Sequence, residues 1–223
     1  MILSNYTHII WDWNGTLFND VNLCCEIINN LLIKYNLCPL SIEKYKEIFT
    51  FPVKEYYRKA GLDFEKISFE ELGRQFMDEY EKRKLECALY EGVESFLDEI
   101  LKMNIEQSVL SAYSQEPLEN LITHYGIRNY FIGFAGLDNI YANGKAELGK
   151  RWMKKLNLQK GEAVLIGDTL HDFDVANEIG ASCILIANGH QKKETLLNSG
   201  TLVLDSLKDL FNEKLSLNKV KCF

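Results

Sequence analysis

The chain predicts an α/β fold, a Rossmann-like parallel sheet core domain carrying an inserted α-helical cap domain. Three observations lead there. Short apolar, β-rich runs alternate with segments of i, i+3, i+4 apolar spacing over most of the 223 residues, the pattern of strands joined by crossover helices. One stretch, residues 20–87, breaks the alternation and shows helical patterns only. Asp12, Ser111 and Asp168 each directly follow an apolar run, where such sheets present polar groups beyond the carboxyl ends of their strands.

The elements follow in order. Residues 8–11 form the first expected strand. Helices are then expected over 21–35, 42–49, 53–60 and 69–85. Pro39 and Ser41 supply a break and a helix start, Pro52 a second break, and Gly61 a stop. Gly92 marks the return to the sheet, so the core domain is assigned to 1–19 and 88–223 and the cap to 20–87. Further strands are expected over 106–110, 130–134, 163–166, 183–187 and 201–204, with helices over 93–102, 118–125, 146–156, 173–179 and 207–212 between or after them.

Composition narrows the class. With 47% apolar and 26% charged residues, the chain has the make-up of a soluble globular protein. A net charge of −7 argues against a nucleic-acid or anionic-membrane surface, which needs a basic stripe. A small anionic ligand stays admissible, because a metal ion and one lysine reverse the local sign. No apolar run reaches bilayer length, and no basic segment followed by an apolar stretch opens the sequence; a cytoplasmic protein is expected. The six cysteines, at 24, 25, 38, 87, 183 and 222, lack metal-binding spacing and read as reduced thiols. Residues 215–223 read as a ragged tail in which Lys219 and Lys221 are solvated. Nothing in the sequence indicates an oligomeric state.

Four elements carry chemistry. Asp12-Trp13-Asn14-Gly15-Thr16-Leu17 follows the run Ile9-Ile10-Trp11. Ser111 and Ala112 follow Ser108-Val109-Leu110. Lys145 opens a helix after Asn143-Gly144. Leu165-Ile166-Gly167-Asp168-Thr169, with His171 and Asp172 just beyond, joins a strand to a helix. Each has an ordinary explanation alone: an aspartate after a strand often caps a helix, and a lysine at a helix start is often solvated. Those explanations are independent, whereas one catalytic site accounts for all four. The constellation resembles the haloacid dehalogenase superfamily, and the helical insert resembles the cap of its phosphoglycolate phosphatase and β-phosphoglucomutase-like branch.

The resemblance implies a Mg²⁺-dependent hydrolase of small phosphorylated metabolites. Asp12 would attack phosphorus and form an aspartyl-phosphate, splitting one hard displacement into two easier ones. Mg²⁺, which suits hard oxygen ligands, would be held by Asp12, the backbone carbonyl of Asn14, and Asp168. Asp172 would complete that metal group by orienting a metal-bound water or pairing with Lys145. Ser111 and the Ala112 amide would bind phosphate oxygens, and Lys145 would neutralise charge developing in transfer.

Asn14 departs from the pattern. Phosphatase members carry an aspartate there that protonates the leaving alcohol and then activates water. Asparagine keeps the size and a donor but has no titratable proton, which puts about 10²–10⁴-fold of rate in question. Three readings stay open. The first is a phosphatase that is slow or draws its proton from elsewhere, with His171 and His190 as candidates. The second is a phosphonatase-like C–P hydrolase using a cap lysine among Lys34, Lys44, Lys46 and Lys54, although that branch places alanine where Asn14 stands. The third is a low-turnover phosphate-ligand sensor. Substrate selection is assigned to Phe49-Thr50-Phe51-Pro52-Val53-Lys54 and Tyr56-Tyr57-Arg58, where Lys54 and Arg58 either meet an anion or, more simply, form the solvated face of a helix, and hinges are expected at Asn19-Asp20 and Tyr90-Glu91-Gly92.

Overall fold

A computed structural model describes residues 2–142 and 144–211. Strand β1 (His8–Trp11) lies at the centre of a six-stranded sheet with β4 (Glu106–Ser114), β5 (Gly133–Leu137), β6 (Ala163–Gly167), β7 (Ser182–Ile186) and β8 (Leu202–Leu204), in the order β5-β4-β1-β6-β7-β8. Every neighbouring pair in it is parallel. β1 and β6 are buried at every residue, as expected of strands covered on both faces. Alternate residues feed two cores. Ile9, Trp11 and Val109 join the larger one, and Ile10, Leu110 and Leu165 the smaller. Helices α5 (Val93–Lys102) and α6 (Gln115–His124) cover the first face through Leu97, Ile100, Leu118 and Ile122, while α7 (Lys145–Lys155) and α8 (Leu170–Ile179) cover the second through Trp152, Met153 and Val175.

Two polar side chains tie the layers together. Gln107 accepts from the Trp11 indole at 3.0 Å and donates to the Leu97 carbonyl at 2.9 Å. Ser108 Oγ lies 2.7 Å from His8 Nε2 and accepts from the Trp152 indole at 3.0 Å. Pairing them this way removes the cost of burying polar groups under the sheet.

Between β1 and β4 the chain runs through helices α1 (Val21–Lys34), α2 (Ile42–Ile48), α3 (Val53–Lys59) and α4 (Phe69–Arg83). Ser41 and Ser68 cap α2 and α4, accepting from the amides of Lys44 and Glu71. α1 packs on both α2 and α4. The two-residue strands β2 (Phe18–Asn19) and β3 (Ala88–Leu89) pair antiparallel, holding together the two points where the chain leaves and re-enters the sheet layer. Strands this short leave no readable pattern, and the sequence did not announce them.

Of the expected strands only the first keeps both its bounds, β6 and β8 each differing by one residue at one end. The strand expected over 130–134 lies at Gly133–Leu137, preceded by a 3-10 turn at Arg128–Tyr130. Its glycines disguise it, but neighbours require them: a β-carbon at Gly133 would come within 2.8 Å of the Trp152 ring, and one at Gly136 within 2.7 Å of the Gln115 backbone. β4 continues to Ser114 with a register shift after Leu110, so Ser111 and Ala112 sit inside the strand and not beyond it. β7 begins and ends one residue earlier than expected. Short helix α9 (Lys193–Leu196) was not foreseen. Asn143, Asn212 and the tail at 215–223, with Lys219, Lys221 and Cys222, lie outside the described residues. Among those described, no helix is long and apolar enough to cross a membrane, and Cys24, Cys25, Cys38, Cys87 and Cys183 are free thiols.

Leu165 is fully buried between α7 and α8. Leu165→Ala is expected to lower unfolding free energy by about 2–5 kcal/mol, measured by urea titration with an unchanged slope.

Candidate active site

The carboxyl ends of β1, β4 and β6 open into a cavity of about 160 Å³. Asp12, Asn14, Ser111, Ala112, Lys145, Asp168 and Asp172 all line it, so the structure brings these seven motif residues to one place. Asp12 follows β1, Asp168 follows β6, Lys145 is the first residue of α7, and Asp172 sits in the first turn of α8. Their separation along the chain is cancelled by parallel pairing, which sets Trp11 beside Ile166 and Val109.

A buried ammonium organises the group. Lys145 Nζ donates to Asp12 Oδ1 at 2.6 Å and to Asp172 Oδ1 at 2.5 Å, with the lysine side chain 2% exposed. Burial alone would strip its proton; the two carboxylates override that and hold it charged, above the usual lysine range. Asp172 is spoken for on its other oxygen too, accepting from the amides of Asp168 (3.2 Å) and Thr169 (3.0 Å) and the Thr169 hydroxyl (2.7 Å). With Thr169 Oγ1 also accepting from the Asp172 amide, this closes a capping box at the start of α8. Gly167 permits it, since a β-carbon there would collide with the Asp172 carboxyl.

Asp12, Asp168 and Asp172 place carboxylate oxygens within 4.8 Å of one another. Burial pushes Asp12 up to about 6, with Lys145 opposing and Asp172 adding to the rise. Burial likewise pushes Asp168 up to about 8, against the pull of His190. Asp172 stays below its ordinary value despite burial, because Lys145 faces it. Three acidic groups around one lysine, two of them driven toward the neutral form, suit an all-oxygen divalent cation site. Gly15 and Gly189 make the approach possible: at φ +73° Gly15 passes Asp168 and His190 where no β-carbon fits, and Gly189 does the same beside Asp168.

Asn14 is not idle. Its amide donates to Asp20 Oδ2 and to the Tyr80 hydroxyl, both at 2.7 Å, while that hydroxyl donates to Asp20 at 2.8 Å. Asp20 also accepts from the Gly15 amide at 3.1 Å and lies 3.3 Å from His190 Nε2. His190 completes the cluster, with Nδ1 2.8 Å from the Tyr45 hydroxyl and its backbone amide donating to Asp168 at 2.5 Å. Although burial opposes both charges, the pair supports itself. Asp20 raises His190, and His190 lowers Asp20. Asp20, Tyr45 and Tyr80 escaped the sequence reading as site residues. The one available signal was an acidic residue at the expected hinge, and only its burial, 1% exposed, and its place in the cavity lining show that it faces the site.

The cationic residues proposed for ligand selection do not reach the cavity. Lys54 lies over the rings of Phe64 and Phe69, and Arg58 pairs with Glu55 and covers Phe64. Lys34, Lys44 and Lys46 engage Gln75, Glu47 and the Asn188 carbonyl. Phe49 and Phe51 do reach it, stacking on His190 (4.9 Å) and His171 (4.4 Å). Burial lowers His171 below its ordinary value, which keeps that ring neutral near pH 7.

Residues 9–186 match the model of the haloacid dehalogenase-like hydrolase family, and the chain belongs to that family. Among individual proteins, it is 21% identical over 210 residues to phosphoglycolate phosphatase 1 of Pseudomonas aeruginosa, covering 91% of this chain and 77% of that one. It is 22% identical over 188 residues to a phosphoglycolate phosphatase of Rhodobacter capsulatus, covering 82% and 85%. Its fold is similar to that of a haloacid dehalogenase-like family protein from Streptococcus pneumoniae (TM-score 0.79, 20% identity, 96% and 99% covered). It is also similar to protein tyrosine kinase A of Mycobacterium tuberculosis (TM-score 0.77, 19% identity, 96% and 99% covered). Relatives this different in name show that the fold is shared more widely than any one activity.

The raised carboxyls make cation binding pH-dependent. An unfolded aspartate titrates near about 3.9, so between about pH 4 and pH 8 Asp12 and Asp168 hold more protons in the folded, cation-free chain than in the unfolded one, and their contribution to stability falls as pH rises. A cation held there would displace those protons. Mg²⁺ is therefore expected to raise the melting temperature more at about pH 8.5 than at about pH 6; equal shifts in thermal melts would contradict the site.

Proposed function

We propose that the protein is a Mg²⁺-dependent phosphatase that hydrolyses small phosphate monoesters through a phosphorylated Asp12. The observation that carries this reading is Lys145 bridging Asp12 and Asp172 beside Asp168 at the floor of one cavity. Asp12 supplies a carboxylate oxygen to phosphorus as the bond to the leaving oxygen breaks. Water then attacks phosphorus, the Asp12–phosphorus bond breaks, and inorganic phosphate leaves. Ser111 and the Ala112 amide hold phosphate oxygens, and Lys145 offsets the negative charge gathering there. The residues that would hold Mg²⁺ are Asp12, Asp168 and the Asn14 carbonyl; Asp172, with both oxygens engaged, orients Lys145 and the Asp168 loop. The cation supplies charge screening between carboxylate and phosphate.

The proton step passes to other hands. Asn14 has no proton to give, but Asp20 is one hydrogen bond away and His190 is paired with Asp20. We assign the proton exchanged with the leaving alcohol and the attacking water to this pair. Residues 20–87 act as the cap domain, crossing to the core at Asn19-Asp20 and near Tyr90-Gly92, and its closure over the strand ends excludes water. The phosphonatase reading loses support, since Lys145 is the sole lysine lining the cavity among the described residues and two carboxylates hold it.

Phosphate release from a panel of monoesters is expected to require Mg²⁺ and to disappear in Asp12→Ala. A panel indistinguishable from that variant, with ligands still raising the melting temperature, would mark a sensor instead. Asn14→Asp sets a carboxyl where the amide now meets Asp20, and the like charge raises its pKa, as a general acid needs. Its kcat is expected to rise about ten- to a hundredfold on alkyl phosphates and little on aryl phosphates, whose leaving groups need less protonation. A fall on both would show that Asn14 serves another reaction.

A further inference from the structure

The walls of the cavity differ from its floor. Asp12, Asp20, Asp168 and Lys145 share the lining with an apolar set: Gly73, Phe76 and Met77 of α4, Tyr57 of α3, and Ile140 and Tyr141 of the loop before α7. Among the described lining residues Lys145 is the only lysine or arginine, and both of its short hydrogen bonds are committed to Asp12 and Asp172. Of the two lining histidines, His190 is already paired with Asp20 at 3.3 Å and burial lowers His171, so a second anionic group on a substrate would meet mainly aromatic and aliphatic walls and a buried Asp20 carboxylate. In such surroundings an unpaired charge is strongly disfavoured.

Gly73 points the same way. Glycine is the poorest helix former after proline, and Gly73 lies inside α4, buried. Its φ is not positive, and an added β-carbon would make only ordinary contact with the Tyr141 ring, at 3.7 Å. Neither backbone conformation nor a close neighbour demands glycine here. What its missing side chain provides is room in the cavity beside Tyr141.

We propose that the site selects phosphate monoesters whose leaving group is a compact, uncharged, apolar or aromatic alcohol, and that Gly73 is a specificity-determining residue that makes space for it. This rests on the phosphatase reading for its chemistry, but not for its binding preference. The whole cavity, phosphate position included, is about 160 Å³, so a leaving group that shares it with a phosphoryl group has to be compact. Carboxylate-bearing esters such as phosphoglycolate are disfavoured, although relatives at 21–22% identity carry that substrate in their names.

The test separates binding from turnover. Calorimetry of the full chain with Mg²⁺ is run against three non-hydrolysable probes: benzylphosphonate, phosphonoacetate and methylphosphonate. Benzylphosphonate is expected to bind about tenfold or more tighter than phosphonoacetate. Gly73→Leu, a helix-favouring change, is expected to weaken benzylphosphonate about tenfold while leaving methylphosphonate unchanged, which also reports an intact phosphate site. Met77→Lys is expected to narrow the gap by favouring phosphonoacetate. Tighter binding of phosphonoacetate by the unaltered protein, or benzylphosphonate affinity indifferent to Gly73→Leu, overturns the proposal. Phosphate release from benzyl phosphate and phosphoglycolate is read in parallel against Asp12→Ala. Absence of release there overturns the phosphatase reading alone, because the phosphonate affinities still decide the preference.

Discussion

Everything at this site depends on one buried cation. Lys145 is sealed from solvent between Asp12 and Asp172, and a charge in that position persists only while its partners do. The requirement is structural before it is chemical. It forces the end of β1, the start of α7 and the first turn of α8 to converge, so the sheet order and its parallel register become preconditions of the site. Asp172 serves both ends of the arrangement, holding Lys145 with one oxygen and the Asp168-Thr169 turn with the other. Removing Lys145 would leave two buried carboxylates, Asp12 and Asp172, without their shared counter-charge.

A second network joins the helical segment to the sheet. Asn14, Asp20, Tyr80 and His190 share hydrogen bonds across the cavity floor, and Tyr45 extends them into α2. Gln191 adds to this by donating to the Phe49 carbonyl while accepting from the Leu170 amide. Phe49 and Phe51 stack on His190 and His171. The asparagine thus belongs to a satisfied buried network, where an amide supplies a donor that an ionised carboxylate would lack. That explains how Asn14 is accommodated without disturbing Asp12, Lys145 and Asp168 around it.

Much of the fold was legible because it follows from periodicity. The helix expected over 93–102 coincides with Val93–Lys102, and the first strand with His8–Trp11, both strongly patterned. The misplacement came at β5, where apolar Tyr130-Phe131-Ile132 looks more strand-like than the true strand with its two glycines. There the close approach of Trp152 and the Gln115 backbone overrides local propensity. In the site, the groups named from motifs converge, whereas Asp20, Tyr45 and Tyr80 carry no motif and become visible only through burial. For Lys54 and Arg58, which could meet an anion or form a solvated helix face, the structure supports the plainer reading. Their charge suggested an anion, but long side chains at a helix surface settle on local partners, here Glu55 and the Phe64 and Phe69 rings.

By itself the sequence determined the α/β class, the helical interruption after the first strand and the identities of Asp12, Lys145, Asp168 and Asp172, because these are written in spacing and residue type along single elements. Tertiary structure alone decided what surrounds them: the engagement of Asn14 by Asp20 and Tyr80, the exclusion of Lys54 and Arg58, and the apolar wall opened by Gly73. Those outcomes depend on which faces of α1 to α4 meet the strand ends. Contact between distant segments is set by packing and burial across the whole fold, which no local pattern of residues records.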